Sequence, residues 1–142
     1  MTLPTSIALE IVTPDRPIVH EQVEEVQLPG RDGALGILPG HTPLLAMLNP
    51  GELWYRAAGA RHSLVIDFGL AEVLPDRVIV LVRLAARPEE IDADAQEAAR
   101  REAEQELKGA TSLEDAERAR IAMLTAMMKL RAAERIRARK GV

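Results

Sequence analysis

The sequence predicts an α+β fold, with an N-terminal antiparallel β-sandwich followed by a C-terminal two-helix antiparallel hairpin. The composition changes at Arg87: eight of the nine prolines and seven of the nine glycines precede it, and the remainder is rich in Ala, Glu and Arg. Short apolar runs at a spacing of about eight to twelve residues, separated by turn residues, are typical of sandwiches and barrels. We therefore expect a β domain over residues 1–87 and a helical domain over residues 88–142.

The predicted strands are apolar runs bounded by Gly, Pro, Asp or Asn, such as "SIALEIVT", "VEEVQLPG", "SLVIDF" and "RVIVLVRLA". In the last of these, Val78, Val80 and Val82 alternate with further apolar residues, Ile79 and Leu81. An unbroken apolar run is consistent with a strand that is buried on both faces. We expect that burial here.

Start and stop residues place the two helices. Pro88 suits the first turn of a helix, and acidic residues follow it at the positive end of the helix dipole. Gly109 ends the first helix, and Ser112 begins the second with Asp115 three residues on, a relative of the capping box. The second helix reaches about Arg139. Small residues at helical spacing predict the inner face of the first helix: Ile91, Ala95, Ala98, Ala99, Ala103 and Leu107.

The two helices carry opposite charges. Residues 88–108 hold eight acidic and three basic side chains, and residues 109–142 hold four acidic and eight basic ones. Exposed ion pairs contribute only about 0.2–1 kcal/mol each, and an alanine seam buries little area at roughly 25 cal/mol per Å². The sequence therefore predicts a weakly held hairpin that a partner can open, with a reach of about 70–80 Å at roughly 1.5 Å per residue.

Composition excludes several classes of function. A net charge of −4 and only three aromatic residues argue against binding of nucleic acid. The absence of cysteine excludes disulfides and thiolate metal sites, and three scattered histidines argue against zinc. No apolar run approaches membrane-spanning length and no leader segment opens the chain, so we expect contact with a membrane only through a partner.

The stretch "GRDGALGILPGHTPLLAMLNPG", residues 30–51, fits either a ligand cradle with a catalytic histidine or a set of turns between strands. The spacing of Gly30, Gly33 and Gly36 is not the dinucleotide fingerprint, and no Lys-Ser or Lys-Thr follows as in a phosphate loop. No activated nucleophile accompanies His41 in this stretch. Turns are favoured and the sequence predicts a non-catalytic protein, with His41 as a general base the rival interpretation.

The end of the second helix is basic. Arg131, Arg135 and Arg139 recur at i, i+4 and i+8 and share one side, with Arg137 and Lys140 nearby. Such a run is usually a solvated face that complements the helix dipole. Here it is long and nearly unopposed, which favours an acidic partner surface. Three methionines of this helix fit either an adaptable docking face or a plain helix core: Met123, Met127 and Met128.

The segment "DGALGILPGHTPLLAMLNPGEL" resembles the motif of the epsilon subunit of F-type ATP synthases, in which an acidic-Gly turn leads into Gly-Ile-Leu-Pro-Gly-His and then Pro-Leu. The segments "EIVTPDRPI", "GLAEVLPDRVIVLV" and "EEID" follow in the family's order, so the resemblance covers essentially the whole chain. It implies a family-typical turn at Gly36, Pro39, Gly40 and His41, with His41 in a structural role.

The resemblance implies a non-catalytic rotor subunit at the foot of the central stalk, on the cytoplasmic side of a bacterial cell membrane. The implied partners are the gamma subunit, the c-ring, and the beta subunit of the catalytic head, with alpha a further candidate. Arg31 and Asp32 lie in the loop that would face the c-ring, and Ala34 stands where the family often has an acidic residue. Phe68 precedes Gly69 where the family more usually has two glycines, which puts a local bulge in doubt.

The resemblance also implies a regulatory role for the hairpin. In bacterial relatives it can extend along gamma and inhibit ATP hydrolysis, and residues 131–140 would then meet an acidic segment of beta. Rival interpretations are a nucleotide-sensing switch and a free-standing protein-interaction module of the same architecture.

Some relatives bind ATP through an Ile-Asp-x-x-Arg-Ala motif and arginines of the second helix. Ile91 and Asp92 match that motif here, and Arg118 remains on the second helix. The motif is otherwise degenerate, and charge-assisted phosphate contacts are lost with it. We therefore expect no cofactor and no physiologically useful affinity for ATP. The departures from the pattern are Ala95 and Gln96 in place of Arg-Ala, and Thr125 and Lys129 in place of arginines.

Overall fold

The computed structural model describes residues 2–140, which form two compact units, one ending at Arg87 and one beginning at Pro88. The first unit, called the β unit below, consists of strands. The second, the helical unit, holds a 3₁₀ turn at Pro88–Glu90, helix α1 at Ala93–Lys108 and helix α2 at Leu113–Arg139. The strands are β1 Ile7–Val12, β2 Pro17–Val23, β3 Glu25–Gly30, β4 Gly33–Ile37, β5 Leu44–Leu48, β6 Gly51–Ala57, β7 Ala60–Ile66, β8 Gly69–Leu74, β9 Arg77–Val82 and β10 Ala85–Ala86.

The strands form one sheet in the order β10-β7-β6-β3-β5-β8-β9-β1-β2, with β4 paired on β3. Residues from distant strands, such as Leu53 on β6 and Val78 on β9, share one hydrophobic core, so the sheet folds over on itself as a sandwich. This confirms the predicted fold class. The sheet is not wholly antiparallel, however, because β1 pairs with β9 in parallel.

Alternation along the strands decides which side chains reach the core. Ile7, Leu9 and Ile11 of β1 are fully buried, and the residues between them are only partly buried. The expectation that β9 is buried on both faces was wrong, because Val78 and Val80 are fully buried but Leu81 is 50% exposed. The apolar run concealed a strand with one solvent-facing side.

Helix α1 begins later than the sequence analysis placed it. Pro88 lies in the 3₁₀ turn, and the helix starts after Asp92, whose carboxylate accepts a hydrogen bond from the N–H of Ala95 at 3.1 Å. An aspartate that binds a first-turn amide is a strong N-cap, and it overrides the preference of Pro88 for a first turn. Gly109 ends α1, and its N–H donates a hydrogen bond to the carbonyl of Gln105 at 3.0 Å.

Helix α2 begins as predicted. The hydroxyl of Ser112 accepts a hydrogen bond from the N–H of Asp115 at 3.1 Å, which is the contact of an N-cap residue with the third residue of its helix. Helix α2 then runs to Arg139. Among residues 2–140, no helix is long and apolar enough to cross a membrane.

The packed face of α1 differs from the prediction. Ala103 is buried and Leu107 partly buried, but Ala95, Ala98 and Ala99 are exposed. Gln96 and Arg100 are partly buried in their place. Alanines occur on more than one side of this helix, so their positions do not reveal which side packs. Helix α2 also buries mostly small residues, together with one large one: Ala119, Ala126, Ala132, Ala133 and Ile136.

Candidate functional site

Four strands of the β unit carry an apolar row on their outer face. Strand pairing sets Met47 opposite Leu70, Leu70 opposite Leu81, and Leu81 opposite Val12. Leu81 and Met47 are 50% and 55% exposed, and the other two are partly buried. We call these four residues the apolar band. Strands lie about 4.8 Å apart, so the band is roughly 14–15 Å wide.

A groove of about 690 Å³ opens beside the band. All four band residues line it, and Phe68, which is 38% exposed, adds an aromatic edge. Contiguous exposed apolar surface on a folded domain is typical of a site that binds another protein. The strands of this unit therefore present a candidate docking surface in addition to an enclosed core.

Gly69 sets the close approach of β8 to β9 under the groove. A Cβ atom at this position would lie 2.3 Å from the carbonyl oxygen of Leu81 and 2.5 Å from a methyl group of Val82. Only glycine fits without displacement of a strand. The register of β8 with β9 is continuous from Gly69 to Leu74, so Phe68 in place of a glycine introduces no bulge into this pair.

Charges of opposite sign lie on the two sides of the band. The next outward row toward one end of the strands contains Glu72 and Glu10, with Ile79 between them. Toward the other end, Arg31 and Arg83 line the groove. A partner that covers the band therefore encounters an acidic side and a basic side, which fixes its orientation.

The β3–β4 hairpin brings the predicted loop residues Arg31, Asp32 and Ala34 together beside the band. The N–H of Arg31 donates to the carbonyl of Met47 at 2.9 Å. Gly33, with φ of 131°, makes the turn at the tip. The exposed Leu44 and Leu45 of β5 line a second hollow with this hairpin: Gly30, Arg31, Asp32, Gly33, Ala34 and Leu35.

Sequence reasoning missed the apolar band. The sequence pattern that indicates such a band is an apolar residue at a strand position that faces outward. Met47, which lies between the buried Ala46 and Leu48, is an example. The pattern predicted strands, but it could not show which neighbouring strands place their outward apolar residues side by side.

The turn that contains His41 is held by backbone hydrogen bonds. Gly40 has φ of 86°, and its N–H donates to the carbonyl of Pro75 at 2.7 Å. The Nδ1 atom of His41 lies 2.6 Å from the carbonyl oxygen of Thr42, so this nitrogen carries the proton and donates. The turn starts at Pro39, after Gly36 has paired with Gln27 in the β3–β4 hairpin.

Among residues 2–140, His41 contacts no carboxylate or hydroxyl partner that would orient it as a general base. In the same part of the chain, no group of three or more His, Cys, Asp or Glu side chains is placed to hold a metal ion.

The residues that match the nucleotide motif are not brought together. Ile91 is buried, and the Asp92 carboxylate caps α1. Arg118 pairs instead with Glu114 at 3.4 Å and with Asp115 at 3.7 Å, in a hollow beside Gly109 at the far end of α1. Helix α1 has 16 residues, so these two sets are separated by roughly 24 Å at 1.5 Å per residue.

The basic end of α2 divides into two groups. Arg131, Arg135 and Arg139 are exposed. The guanidinium of Arg137 donates to two backbone carbonyls, and the Lys140 ammonium lies 3.3 Å from a Glu89 carboxylate oxygen. The expectation that the run is nearly unopposed was wrong: Arg137 and Lys140 have these partners, and Arg139 is not free either. The three methionines of this helix are all partly buried: Met123, Met127 and Met128.

Comparison with known proteins identifies the family. The family model described as "ATP synthase, Delta/Epsilon chain, beta-sandwich domain" matches residues 6–88, more than half of the chain. The chain belongs to the ATP synthase delta/epsilon chain family. The resemblance noted in the sequence is therefore confirmed, and the β unit of this epsilon-type chain carries the family's β-sandwich.

Bacterial relatives extend the match into the helical unit. The ATP synthase epsilon chain of Herpetosiphon aurantiacus is 44% identical over 128 residues, which covers 90% of this chain and 94% of the relative. That of Koribacter versatilis is 48% identical over 99 residues, or 70% of each chain. The predicted role as a non-catalytic subunit of ATP synthase is thus confirmed.

Solved structures agree with this assignment. A chain in the cryo-EM structure of the Euglena gracilis mitochondrial ATP synthase, which includes the c-ring, has a TM-score of 0.81 at 26% identity, over 94% of this chain and 84% of that chain. A chain of the Tetrahymena thermophila mitochondrial ATP synthase central stalk and c-ring shows the same fold, with a TM-score of 0.69 at 17% identity.

Proposed function

We propose that the β unit of this epsilon chain binds two rotor components. The gamma subunit binds the apolar band, and the c-ring binds the β3–β4 hairpin. The observation that carries the proposal is the band itself, an exposed apolar row four strands wide beside a groove. The chain then lies at the cytoplasmic side of a bacterial cell membrane, which it reaches only through the complex. In this role it transmits torque and performs no chemistry.

The assignment of partners to surfaces follows from their chemistry. The band offers apolar area between rows of opposite charge, which suits a rigid, specific and lasting contact. The hairpin instead presents Arg31 and Asp32 at an exposed tip, with Ala34 beside them. A short polar tip suits a narrow contact with the loops of a ring, in which Arg31 and Asp32 supply the polar groups that Ala34 lacks.

The binding of gamma is tested with the matched variants Leu81→Glu and Leu38→Glu. Both leucines are strongly exposed, at 50% and 60%, but only Leu81 belongs to the band. A carboxylate at position 81 would be buried unpaired in the interface, so we expect loss of co-purification with gamma. Leu38→Glu should still co-purify. Retention of gamma by Leu81→Glu, at wild-type yield and with a wild-type circular dichroism spectrum, contradicts the proposal.

We further propose that the helical unit opens and inhibits ATP hydrolysis, with Arg131 and Arg135 against an acidic segment of the beta subunit. Two observations support this proposal. The seam between the helices is built mainly from alanines, so its separation costs little free energy, and both arginines are exposed. Deletion of residues 88–142 should raise the ATPase rate of the assembled complex and leave assembly largely intact. An unchanged rate, measured with enzyme free of inhibitory ADP, rejects the inhibitory role.

Regulation by nucleotide binding is not part of this proposal. The support is the separation of Arg118 from Asp92 along α1, together with the use of the Asp92 carboxylate as a cap. Calorimetric titration of the isolated chain with ATP should detect no binding tighter than millimolar. Binding at that strength or tighter that disappears in Arg118→Ala would establish the nucleotide-sensing alternative.

A further inference from the structure

Arg137 joins the two ends of the helical unit at the open end of the hairpin. Arg137 lies in the last turn of α2, and its Nη2 atom donates to the carbonyl oxygen of Pro88 at 2.6 Å and to that of Ile91 at 3.2 Å. These contacts span 49 and 46 residues of sequence, from the end of α2 back to the segment just before α1. They therefore exist only while the two helices lie side by side.

The two carbonyls lie outside the hydrogen-bond ladder of α1. Pro88 begins the 3₁₀ turn, and Ile91 lies between that turn and the Asp92 cap. The ladder of α1 starts one residue later, where the Asp92 carbonyl accepts from the N–H of Gln96 at 3.0 Å. The Pro88 carbonyl already accepts from the N–H of Ile91 at 3.2 Å, so Arg137 adds a second hydrogen bond there. To both carbonyls the guanidinium supplies charge-assisted hydrogen bonds of above-average strength.

The surroundings strengthen this contact. Ile136, next to Arg137 in sequence, is 1% exposed, and Ile91 is 7% exposed. Arg137 itself is partly buried. Partial exclusion of water makes a hydrogen bond to a charged group stronger than the same bond at an open surface. A further tie is the ion pair of Lys140 with Glu89, which is half-exposed and contributes less.

We propose that Arg137 is a latch whose hydrogen bonds to the Pro88 and Ile91 carbonyls set the equilibrium between the closed and open helical unit. The inference rests on the proposed inhibitory role in one respect: on opening, the guanidinium exchanges the two carbonyls for a carboxylate of the acidic partner segment. One side chain cannot serve both, so the closed state and the partner-bound state compete for it. Arg137 thereby differs from Arg131 and Arg135, which are exposed in the closed unit.

The chain contains no cysteine, so two introduced cysteines can be spin-labelled without background. We place them at the exposed positions Ala95 and Ala138, in the first turn of α1 and the last turn of α2. Double electron–electron resonance on the full chain then reports the distance between the helix ends. The otherwise unsubstituted chain should give one short distance. Arg137→Ala should add a long-distance population, with the opening constant raised about tenfold.

Arg135→Ala is the matched control. It removes the same charge two residues away on the same helix, and within residues 2–140 Arg135 has no hydrogen-bond or ion-pair partner. We expect its distance distribution to equal that of the unsubstituted chain. Equal opening in Arg137→Ala and Arg135→Ala, or opening in neither, overturns the latch.

Arg137→Lys provides a second variant that keeps the charge. A lysine ammonium lacks the planar fork of the guanidinium, so we expect an opening constant between those of the wild type and Arg137→Ala. A distribution identical to wild type in this variant would also overturn the proposal. Far-UV circular dichroism establishes that both helices are retained before distances are compared.

ATPase rates of the assembled complex separate the latch from the inhibitory role. If Arg137→Ala opens the helical unit but deletion of residues 88–142 leaves hydrolysis unchanged, the latch stands and the inhibitory role fails. If the deletion raises hydrolysis but Arg137→Ala and Arg135→Ala give the same distances, the inhibitory role stands and the latch fails.

Discussion

The two units of this chain are built from side chains of different size. The β unit encloses large branched residues that are fully buried, including Leu9, Leu28 and Ile66. The helical unit buries mainly alanine methyl groups, with Ile91 and Ile136 as large buried residues. A fully buried Leu or Ile contributes about 1.5–3 kcal/mol, whereas a methyl group contributes about 0.8 kcal/mol. The β unit is thus suited to a fixed shape, and the helical unit to a change of partner.

Because its buried side chains are small, the helical unit depends more on polar contacts for its stability than the β unit does. Its two helices start at side-chain caps, Asp92 and Ser112, and its open end is tied by Arg137. In the β unit, the strand ladders and the core hold the shape, and the surface is left for docking. Four measurements sharpen this comparison.

The largest effect is expected from truncation in the β core. Leu28→Ala removes a side chain that is 0% exposed and leaves a cavity, which should cost about 2–5 kcal/mol of unfolding free energy. Leu45→Ala, at a position 65% exposed on a strand of the same unit, should cost much less. Urea unfolding followed by the fluorescence of Trp54, the single tryptophan, reports both. Similar losses in the two variants would show that the β unit has no rigid core.

The second effect concerns the shape of the docking surface. Gly69→Ala places a Cβ atom against the Leu81 carbonyl, so β8 must move from β9, at a cost of about 1–3 kcal/mol. Co-purification with gamma should weaken as well, because Leu81 and Leu70 belong to the band. Gly36→Ala is the control, since its Cβ meets nothing within 4 Å. Wild-type stability and gamma binding in Gly69→Ala would show that the close approach is unimportant.

The third effect is confined to the helical unit. Ser112→Ala removes the cap of α2 and should cost about 0.5–2 kcal/mol of helix stability. Native-state hydrogen exchange of the amides in the first turn of α2 measures it. Thr111→Ala, an exposed neighbour, should leave those amides unchanged. Exchange of the β-unit amides should not change in either variant, and acceleration there would contradict the independence of the two cores.

Most local signals in the sequence predicted the structure, and the nonlocal features did not follow from it. Pro88 is the local exception, because the Asp92 cap overrides it as the start of α1. Turn residues around strands, Gly109 at a helix end and the Ser112 cap depend on neighbours a few residues away, so the sequence reveals them. The sidedness of β9 depends on what covers its outer face, and Leu81 was therefore placed in the core by mistake. The packed face of α1 was wrong for a related reason, because alanine tolerates both buried and exposed positions.

The candidate site shows the same limit. The resemblance led to the β3–β4 hairpin and the His41 turn, both carried by one continuous motif. The apolar band needs the pairing of β5, β8, β9 and β1, which no single segment encodes. The contact of Arg137 with Pro88 and Ile91 joins residues 46 or more positions apart, and within the sequence it was indistinguishable from a solvated basic residue.

The smallest effect is electrostatic and lies on the surface of α1. A hydrogen bond from Arg100, 2.9 Å from Nε to the carboxylate, together with the positive charges of Arg100 and Arg101, lowers the pKa of Glu97 below its ordinary value of 4.5. Because the folded-state pKa is the lower one, this pair stabilises α1 above about pH 4.5 and loses its contribution as the pH falls through the lowered pKa. Glu97→Gln should therefore reduce the helical signal at pH 7, and the difference from wild type should disappear once the pH has fallen below the lowered pKa of Glu97.

Glu102→Gln is the matched control for this prediction. Glu102 is an exposed glutamate of the same helix, and it has no ion-pair partner in the described chain. Replacement of Glu102 should reduce the helical circular dichroism signal at pH 7 by less than replacement of Glu97 does. If the two variants lose helix equally at pH 7, intrahelical ion pairs do not support α1. The helix caps and Arg137 would then be the main polar contacts that stabilise the helical unit.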